Sequence, residues 1–303
     1  KPYATSWRMG DLRYISHAQD SLNISYNSIE DYCSDLKNAL ETPYDEYSKI
    51  GEFKEAERIQ LNDSIIQIEN EYYSTIRPKR VCPSGERPLN VLSNEGIDYL
   101  ELRCIDLNPT SAIGITEEQI YFLDLLILFC FFEDSPEISE QESNEIFNNH
   151  KIVVNDGRRS NQSLVMGSLE VSIKDEAIRI LDEMVEIAKF MDEVVTFEDE
   201  NIWMNSLEKQ KNTINDYGLS LSESMLNEIS NEEMSFQEYG MNISKKHREE
   251  KKNISTNDQD ILIQAAKKSL IDASDIESSQ DADFEDYLRD FLNKISWRFI
   301  FKR

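Results

Sequence analysis

Ile65-Ile66-Gln67-Ile68-Glu69-Asn70-Glu71-Tyr72-Tyr73, continued by Ser74-Thr75-Ile76-Arg77-Pro78-Lys79-Arg80, is the stretch on which the reading of the fold turns. Apolar and polar residues alternate through it, the period of a strand with one packed face. On that reading Ile66, Ile68 and Tyr72 point into the core, and Gln67, Glu69, Glu71 and Tyr73 share the opposite face. Neighbouring carboxylates on one face repel unless cations sit between them. The cations at hand are Arg77, Lys79, Arg80 or a bound metal ion. The same pattern also suits an ordinary solvated strand face with surface salt bridges.

A second strand repeats the theme. In Asp98-Tyr99-Leu100-Glu101-Leu102-Arg103-Cys104, the residues Leu100, Leu102 and Cys104 fall on one face and Tyr99, Glu101 and Arg103 on the other. Taken together, QIENEYYSTIRPKR, GERPLNVL and GIDYLELRCIDLNP resemble the bacterial glutamate–cysteine ligase family of the gamma-proteobacterial type. The opening YATSWRMGDLRY and LNISYNSIEDY are similar to the same family's pattern, in the same order.

The chain has 303 residues, enough for one large or two smaller domains. Its formal net charge is −27, from 59 Asp and Glu against 32 Lys and Arg. Such a surface repels nucleic acid and anionic membranes, so neither is expected as a partner. The apolar run Ile120 to Phe132 is interrupted by Asp124 and too short to span a bilayer, so it reads as a buried helix. Four cysteines without close paired spacing, and no visible secretory signal, fit a reducing cytoplasm. The resemblance begins in the middle of the family's pattern, which reads as a fragment or as a chain whose partner supplies the N-terminal portion.

Along the chain, Tyr3 to Met9 reads as a strand and Gly10 to Ser21 as a loop. Ser28 reads as the cap of a helix to Leu40. A short helix is expected near Leu89 to Asn94, and Leu107-Asn108-Pro109 should end the second site strand. Thr116 with Gln119 makes a capping box that opens the apolar helix, and Ser135-Pro136 reads as the start of the next. Asn155 to Ser163 is turn-rich. Ile173 to Met191 carries an amphipathic stripe. Helices are expected around Ile202 to Tyr217, Ser220 to Ser230, Asp258 to Asp272 and Asp283 to Phe301, with His247 to Lys252 a solvated charge run. The expected class is α+β, a strand-rich first part of about 110 residues followed by a helical second part, with the domains taken as 1–134 and 135–303. The resemblance implies more: an antiparallel sheet forming a glutamine-synthetase-like funnel over 1–134, the C-terminal portion of a catalytic domain, followed by a helical region.

The resemblance also implies a reaction, the ATP-dependent joining of the γ-carboxylate of L-glutamate to the amine of L-cysteine through a γ-glutamyl phosphate, the first step of glutathione biosynthesis. Its cofactors are ATP and Mg2+, with Mn2+ as the alternative ion. By motif, Arg8 matches an arginine that holds the amino-acid substrates, and Tyr14 and Tyr73 match tyrosines of the cysteine pocket. Glu101 matches a metal-ligating carboxylate, and Arg103 a catalytic arginine directed at the ATP phosphates. Purely structural roles stand beside these: Arg8 pairing with Asp11, Tyr14 and Tyr73 as core residues, Glu101–Arg103 as a same-face salt bridge. Glu69, Glu71, Arg77, Arg80 and Arg87 are assigned no catalytic role.

No P-loop is present, and His17, His150 and His247 are too scattered for a metal motif. Thr110 stands where the family usually has an aromatic residue. Gly157-Arg158 is similar to a Gly-Arg that in the family precedes Pro-Gly-Leu, whereas here Arg159-Ser160-Asn161 takes the place of those three residues. A single carboxylate, Glu101, makes a weak magnesium site, so the missing portion is expected to supply further ligands. The alternative function is a non-catalytic helical scaffold or regulatory subunit that keeps the site strands. A ligase using another amine shares every motif.

Overall fold

The structure, a computed structural model, describes residues 2–10, 16–195, 201–253, 255–279 and 283–295. In chain order its elements are α1 (Ile29–Glu41), α2 (Asp45–Ile50), β1 (Phe53–Lys54), β2 (Glu57–Arg58), β3 (Ile76–Lys79), α3 (Pro88–Glu95) and β4 (Tyr99–Leu102). Then come α4 (Glu117–Phe132), α5 (Glu140–Asp156), β5 (Ser163–Met166), β6 (Leu169–Ser172), α6 (Ile173–Glu183), α7 (Val185–Val194) and α8 (Ile202–Asn215). The last are α9 (Leu221–Asn231), α10 (Phe236–Glu250), α11 (Thr256–Ser279) and α12 (Phe284–Asn293). The class is α+β. Among the described residues the strands form three antiparallel pairs, β1–β2, β3–β4 and β5–β6.

The chain divides into two compact units elsewhere than at 134/135. One comprises 1–11 and 106–255, the other 12–105 and 256–303. In the second, Tyr32, Cys33, Leu36 and Leu40 of α1 pack with Ile66, Tyr72, Leu89 and Leu92. Ser28 opens α1 as expected, its hydroxyl accepting from the Asp31 N–H at 3.0 Å. In the first unit, α4, α6, α7 and α8 enclose Leu125, Leu181, Met184, Ala188, Trp203 and Leu207. A fully buried leucine contributes roughly 1.5–3 kcal/mol, so each of these small cores rests on a few such residues.

Several expectations are corrected. Residues 65–73 are an irregular segment with one 3-10 turn, Glu69–Glu71, and strand pairing begins only at Ile76. Ile66 and Tyr72 are buried as expected. The alternation misleads because among the described residues no strand lies alongside: the Ile65 and Ile66 N–H groups donate to Thr42 and Ala39 at the end of α1, and Gln67 N–H donates to the Glu71 carboxylate. Residues 3–9 are turns, not a strand.

The next helix is capped by Ser139, four residues after the expected Ser135, in a box with Glu142. Ile173 to Met191 is two helices meeting at Met184. The apolar helix α4 buries only Leu125 fully and leaves Phe131 80% and Phe132 69% exposed. No described helix is long and apolar enough to cross a membrane.

The charge run 247–252 is the end of α10 and a following turn, and His247 Nε2 lies 2.8 Å from the Pro109 carbonyl, inside hydrogen-bond reach. The β5–β6 hairpin was not expected. Its turn places Gly167 and Ser168 at φ +58° and +68°, the left-handed pair that a two-residue hairpin loop needs. The end of the expected helix to Phe301 lies outside the described residues.

Candidate active site

The β3–β4 ladder sets the geometry. Its register puts Arg77 opposite Glu101, and opposite residues of an antiparallel pair share a face. Pro78 is tolerated because only one side of β3 is paired among the described residues. Arg103 N–H extends the ladder to the Thr75 carbonyl at 2.7 Å, which keeps Arg103 in step two residues beyond Glu101.

Three cations gather on one carboxylate. Arg77 Nε lies 3.0 Å from Glu101 Oε2, Arg103 Nη1 3.2 Å from Oε1, and Lys79 Nζ 4.0 Å from Oε2. Burial pushes the Glu101 carboxyl up, but Arg77, Arg103 and Lys79 outweigh it and hold it below the usual range. Lys79 is lowered, by burial first and then by Arg77, against the pull of Glu101. The cluster carries two more positive charges than negative, a chemistry suited to phosphate or carboxylate oxygens.

Tyr73 joins this cluster, with the Arg103 guanidinium 4.9 Å above its ring. Arg103 Nε is buried and has no hydrogen-bond partner among the described residues. The loop before Tyr73 is fastened twice. Arg77 Nη1 donates to the carbonyls of Tyr72 at 2.8 Å and Asn70 at 3.3 Å. Gln19 accepts from Tyr73 N–H at 3.0 Å and donates to the Glu71 carbonyl at 2.8 Å. An adjoining shallow cleft, with walls that include Tyr32, Glu69, Arg77, Lys79 and Leu89, runs along the same strand.

The remaining charged residues of this region brace the fold. Glu69 and Arg87 form a buried pair, Oε1 to Nε 2.9 Å, with the Phe291 ring 4.6 Å from the guanidinium. Arg80 is taken by Glu95 at 3.0 Å and Asp98 at 3.1 Å. The Glu101–Arg103 salt bridge that a purely structural role would require is also present.

The structure thus brings Tyr73, Glu101 and Arg103 together. Arg8 belongs to the other unit, and Tyr14 and Asp11 lie outside the described residues. In its unit, Arg8 sits in a turn segment whose backbone is gathered by Asp106, and its Nε is buried without a hydrogen-bond partner among the described residues. Gly157 and Arg158 hold the start of that segment. A Cβ on Gly157 would meet Thr5 Cγ2 at 2.7 Å and Val153 O at 2.4 Å, so only glycine admits this approach. Arg158 donates to the carbonyls of Ala4 and Pro2. Thr110, in place of an aromatic residue, donates its hydroxyl to Asn108 Oδ1 at 2.7 Å.

Magnesium needs several oxygen ligands. Among the described residues no group of three or more His, Cys, Asp or Glu could hold a metal, and both Glu101 oxygens are engaged by cations. The described residues therefore do not form a magnesium site by themselves.

Gln19 and Asp106 were not legible as site residues in the sequence. Their partners lie 52 to 100 residues away, and no local spacing signals such contacts.

The family model described as glutamate-cysteine ligase matches residues 1–153. A glutamate–cysteine ligase of Pseudomonas putida is 45% identical over 180 residues, covering 59% of this chain and 34% of that protein. One of Hahella chejuensis is 48% identical over 164 residues, covering 54% and 31%. The chain thus spans about a third of the length of these curated relatives. Among solved structures, the glutamate–cysteine ligase of Francisella tularensis in complex with AMP matches at TM-score 0.86 and 28% identity, over 96% of this chain and 57% of that one. A bifunctional glutathione synthetase of Pasteurella multocida, at TM-score 0.54 and 17% identity over 82% of this chain and 27% of that one, shares the fold. With half of its length matched by the family model and the β3–β4 ladder inside that half, the chain belongs to the glutamate–cysteine ligase family.

Proposed function

We propose that this chain is the C-terminal portion of the catalytic machinery that joins the γ-carboxylate of L-glutamate to the amine of L-cysteine at the expense of ATP, in the cytoplasm. The observation that carries this reading is the Glu101 cluster, where a surplus of positive charge borders Tyr73. A carboxylate is a poor electrophile. In the proposed reaction a γ-carboxylate oxygen of glutamate attacks the γ-phosphorus of ATP and ADP leaves, giving an acyl phosphate. The cysteine amine then attacks that carbonyl carbon, phosphate departs with the former carboxylate oxygen, and the amine loses a proton.

Arg103 is suited to the phosphoryl oxygens, because a guanidinium offers them two parallel donors and its own Nε is unanswered. Tyr73, stacked beneath it and fixed by Gln19, would bound the cysteine pocket together with Tyr14, and Arg8 would hold an amino-acid carboxylate. Magnesium, or manganese in its place, would draw the phosphate oxygens together when bound. Glu101 is the chain's candidate ligand, and the other ligands would come from an N-terminal portion. The acidic surface disfavours nucleic acid and anionic membranes as partners.

A second reading, a non-catalytic scaffold that keeps the ladder, is favoured by one observation: both Glu101 oxygens are already engaged by guanidinium groups. The deciding experiment measures phosphate release dependent on ATP, magnesium and glutamate when cysteine is added. It compares this chain alone with this chain plus the separately supplied N-terminal portion of a glutamate–cysteine ligase. The ligase reading expects activity in the complemented sample, abolished by Glu101→Ala and by Arg103→Ala. Association of the pieces without phosphate release would establish the scaffold instead. Replacing cysteine by other small amines in the same assay reads the acceptor.

A further inference from the structure

We infer that Asp106 is a positioning residue that sets Arg8 for an amino-acid carboxylate, an inference that rests on the substrate-holding role proposed for Arg8. Residues 2–10 form neither helix nor strand, so no ladder answers the backbone N–H groups of Trp7 and Arg8. Asp106 does. Its Oδ1 accepts from Arg8 N–H at 2.7 Å and from the Ser6 hydroxyl at 3.0 Å, and its Oδ2 accepts from Trp7 N–H at 2.6 Å. The Ser6 oxygen in turn accepts from Met9 N–H at 3.1 Å, and Gly10 N–H closes the turn on the Trp7 carbonyl at 3.1 Å.

The other anchors act earlier in the segment. Thr5 bonds the carbonyls of Val153 and Val154, and Arg158 takes those of Pro2 and Ala4. Trp7 adds a ring stack on Phe236, centroids 5.3 Å apart. Among the described residues, the Asp106 carboxylate is what fixes the backbone N–H of Arg8 itself, through a hydrogen bond strengthened by its charge.

The Arg8 side chain supplies the independent observation. Its Nε is buried with no hydrogen-bond partner among the described residues. A buried donor left unanswered is unfavourable, so a backbone held this firmly in front of it is the arrangement of a binding group awaiting an anion. The anion of matching chemistry is the carboxylate of an α-amino acid, which a guanidinium meets with a fork of donors.

The test uses Asp106→Asn, nearly isosteric, with Ser6→Ala as a milder variant that removes one of the three bonds. Amide hydrogen exchange on the chain reads positioning directly. Asp106→Asn is expected to lower the protection of Trp7 and Arg8 by at least about ten-fold, with the Thr5 amide unchanged. In the complemented ligation assay, KM for the amino acid held by Arg8 should rise roughly ten- to hundred-fold, with KM for ATP within about two-fold of the unaltered protein. Ser6→Ala should fall between the two.

Unchanged protection at Trp7 and Arg8 overturns the inference, as does a parallel rise of every KM with a lowered melting temperature. If the unaltered protein ligates while Asp106→Asn matches it, the inference falls and the ligase reading stands. If the unaltered protein does not ligate, the ligase reading falls together with the substrate role of Arg8. The exchange data then decide by themselves whether Asp106 fixes the segment.

Discussion

Arg77 and Glu101 face each other across the β3–β4 ladder at 3.0 Å, and the same guanidinium continues to the carbonyls of Tyr72 and Asn70. One buried side chain therefore ties the carboxylate to the loop that carries Tyr73. Arg77→Met removes all three bonds, and urea unfolding should register a loss of about 2–4 kcal/mol. Arg77→Lys keeps the charge but not the fork, so it should fall between. A loss for Arg77→Met below about 1 kcal/mol would make the tie a surface ion pair in energetic terms.

Glu69 and Arg87 make the most deeply buried ion pair among the described residues, with side chains 6% and 0% exposed. Glu69→Ala strands the guanidinium and should destabilise by about 3–5 kcal/mol. The double replacement Glu69→Leu with Arg87→Met should recover most of that loss, because burying neither charge is less unfavourable than burying one. Denaturant midpoints of the two variants, compared at equal slope, decide it.

Among the described residues, two capping boxes close on a carboxylate and one on an amide. Hydrogen bonds from the backbone and hydroxyl of Ser139 hold Glu142 below its ordinary 4.5, and those of Ser235 do the same for Glu238. A carboxyl lowered in the folded state gives its stabilisation fully above its ordinary range and loses it as pH falls through the folded value. The Thr116 box closes on Gln119, which carries no proton to exchange in this range. Amide shifts followed by NMR from pH 6 to pH 3, as an approximate window, should therefore move more at Ser139 and Ser235, whose N–H groups donate to a carboxylate, than at Thr116, whose N–H donates to the Gln119 amide. Glu142→Gln should flatten the Ser139 curve.

Cys33 is fully buried in the α1 core, and burial pushes its thiol up to about 12. Thiolate is the reactive form. A thiol reagent at mildly alkaline pH should label the exposed Cys130 first and leave Cys33 untouched until denaturant is added. Mass spectrometry of labelled peptides checks the order. Labelling of Cys33 in the folded chain would place the opening of α1 among the chain's low-energy motions.

Legibility followed distance along the chain. The caps Ser28 and Thr116 were readable because their partners lie three residues on. The β4 strand was readable because its alternation is matched by a real neighbour in β3. The stretch 65–73 misled because Ile66 and Tyr72 are buried by a loop fastened by Arg77 just beyond it and by the distant Gln19 and Arg87, which the pattern does not show. Two elements outside those expectations carry local signals. Gly167-Ser168 between SLVM and LEVS is a two-residue hairpin loop, and Ser235 with Glu238 is a capping box for α10. The partners of Asp106 had no local signal at all.

The clasp of α12 on the start of its own unit has a temporal side. Arg58 reaches Glu285 across 227 residues, through Nε to Oε1 at 2.7 Å and Nη2 to Oε2 at 2.5 Å, and Phe291 covers Arg87 in the same way. During synthesis at about 5–20 residues per second, Arg58 would wait roughly 10–45 s for its partner to be made. Through that interval Arg87 lacks the Phe291 ring and the α1 core lacks its Ile295 neighbour, so both stay exposed while residues 106–255 are being made. A ribosome that pauses before residue 284 prolongs that exposure, so the speed of translation late in the message bears on how much chain reaches the folded state.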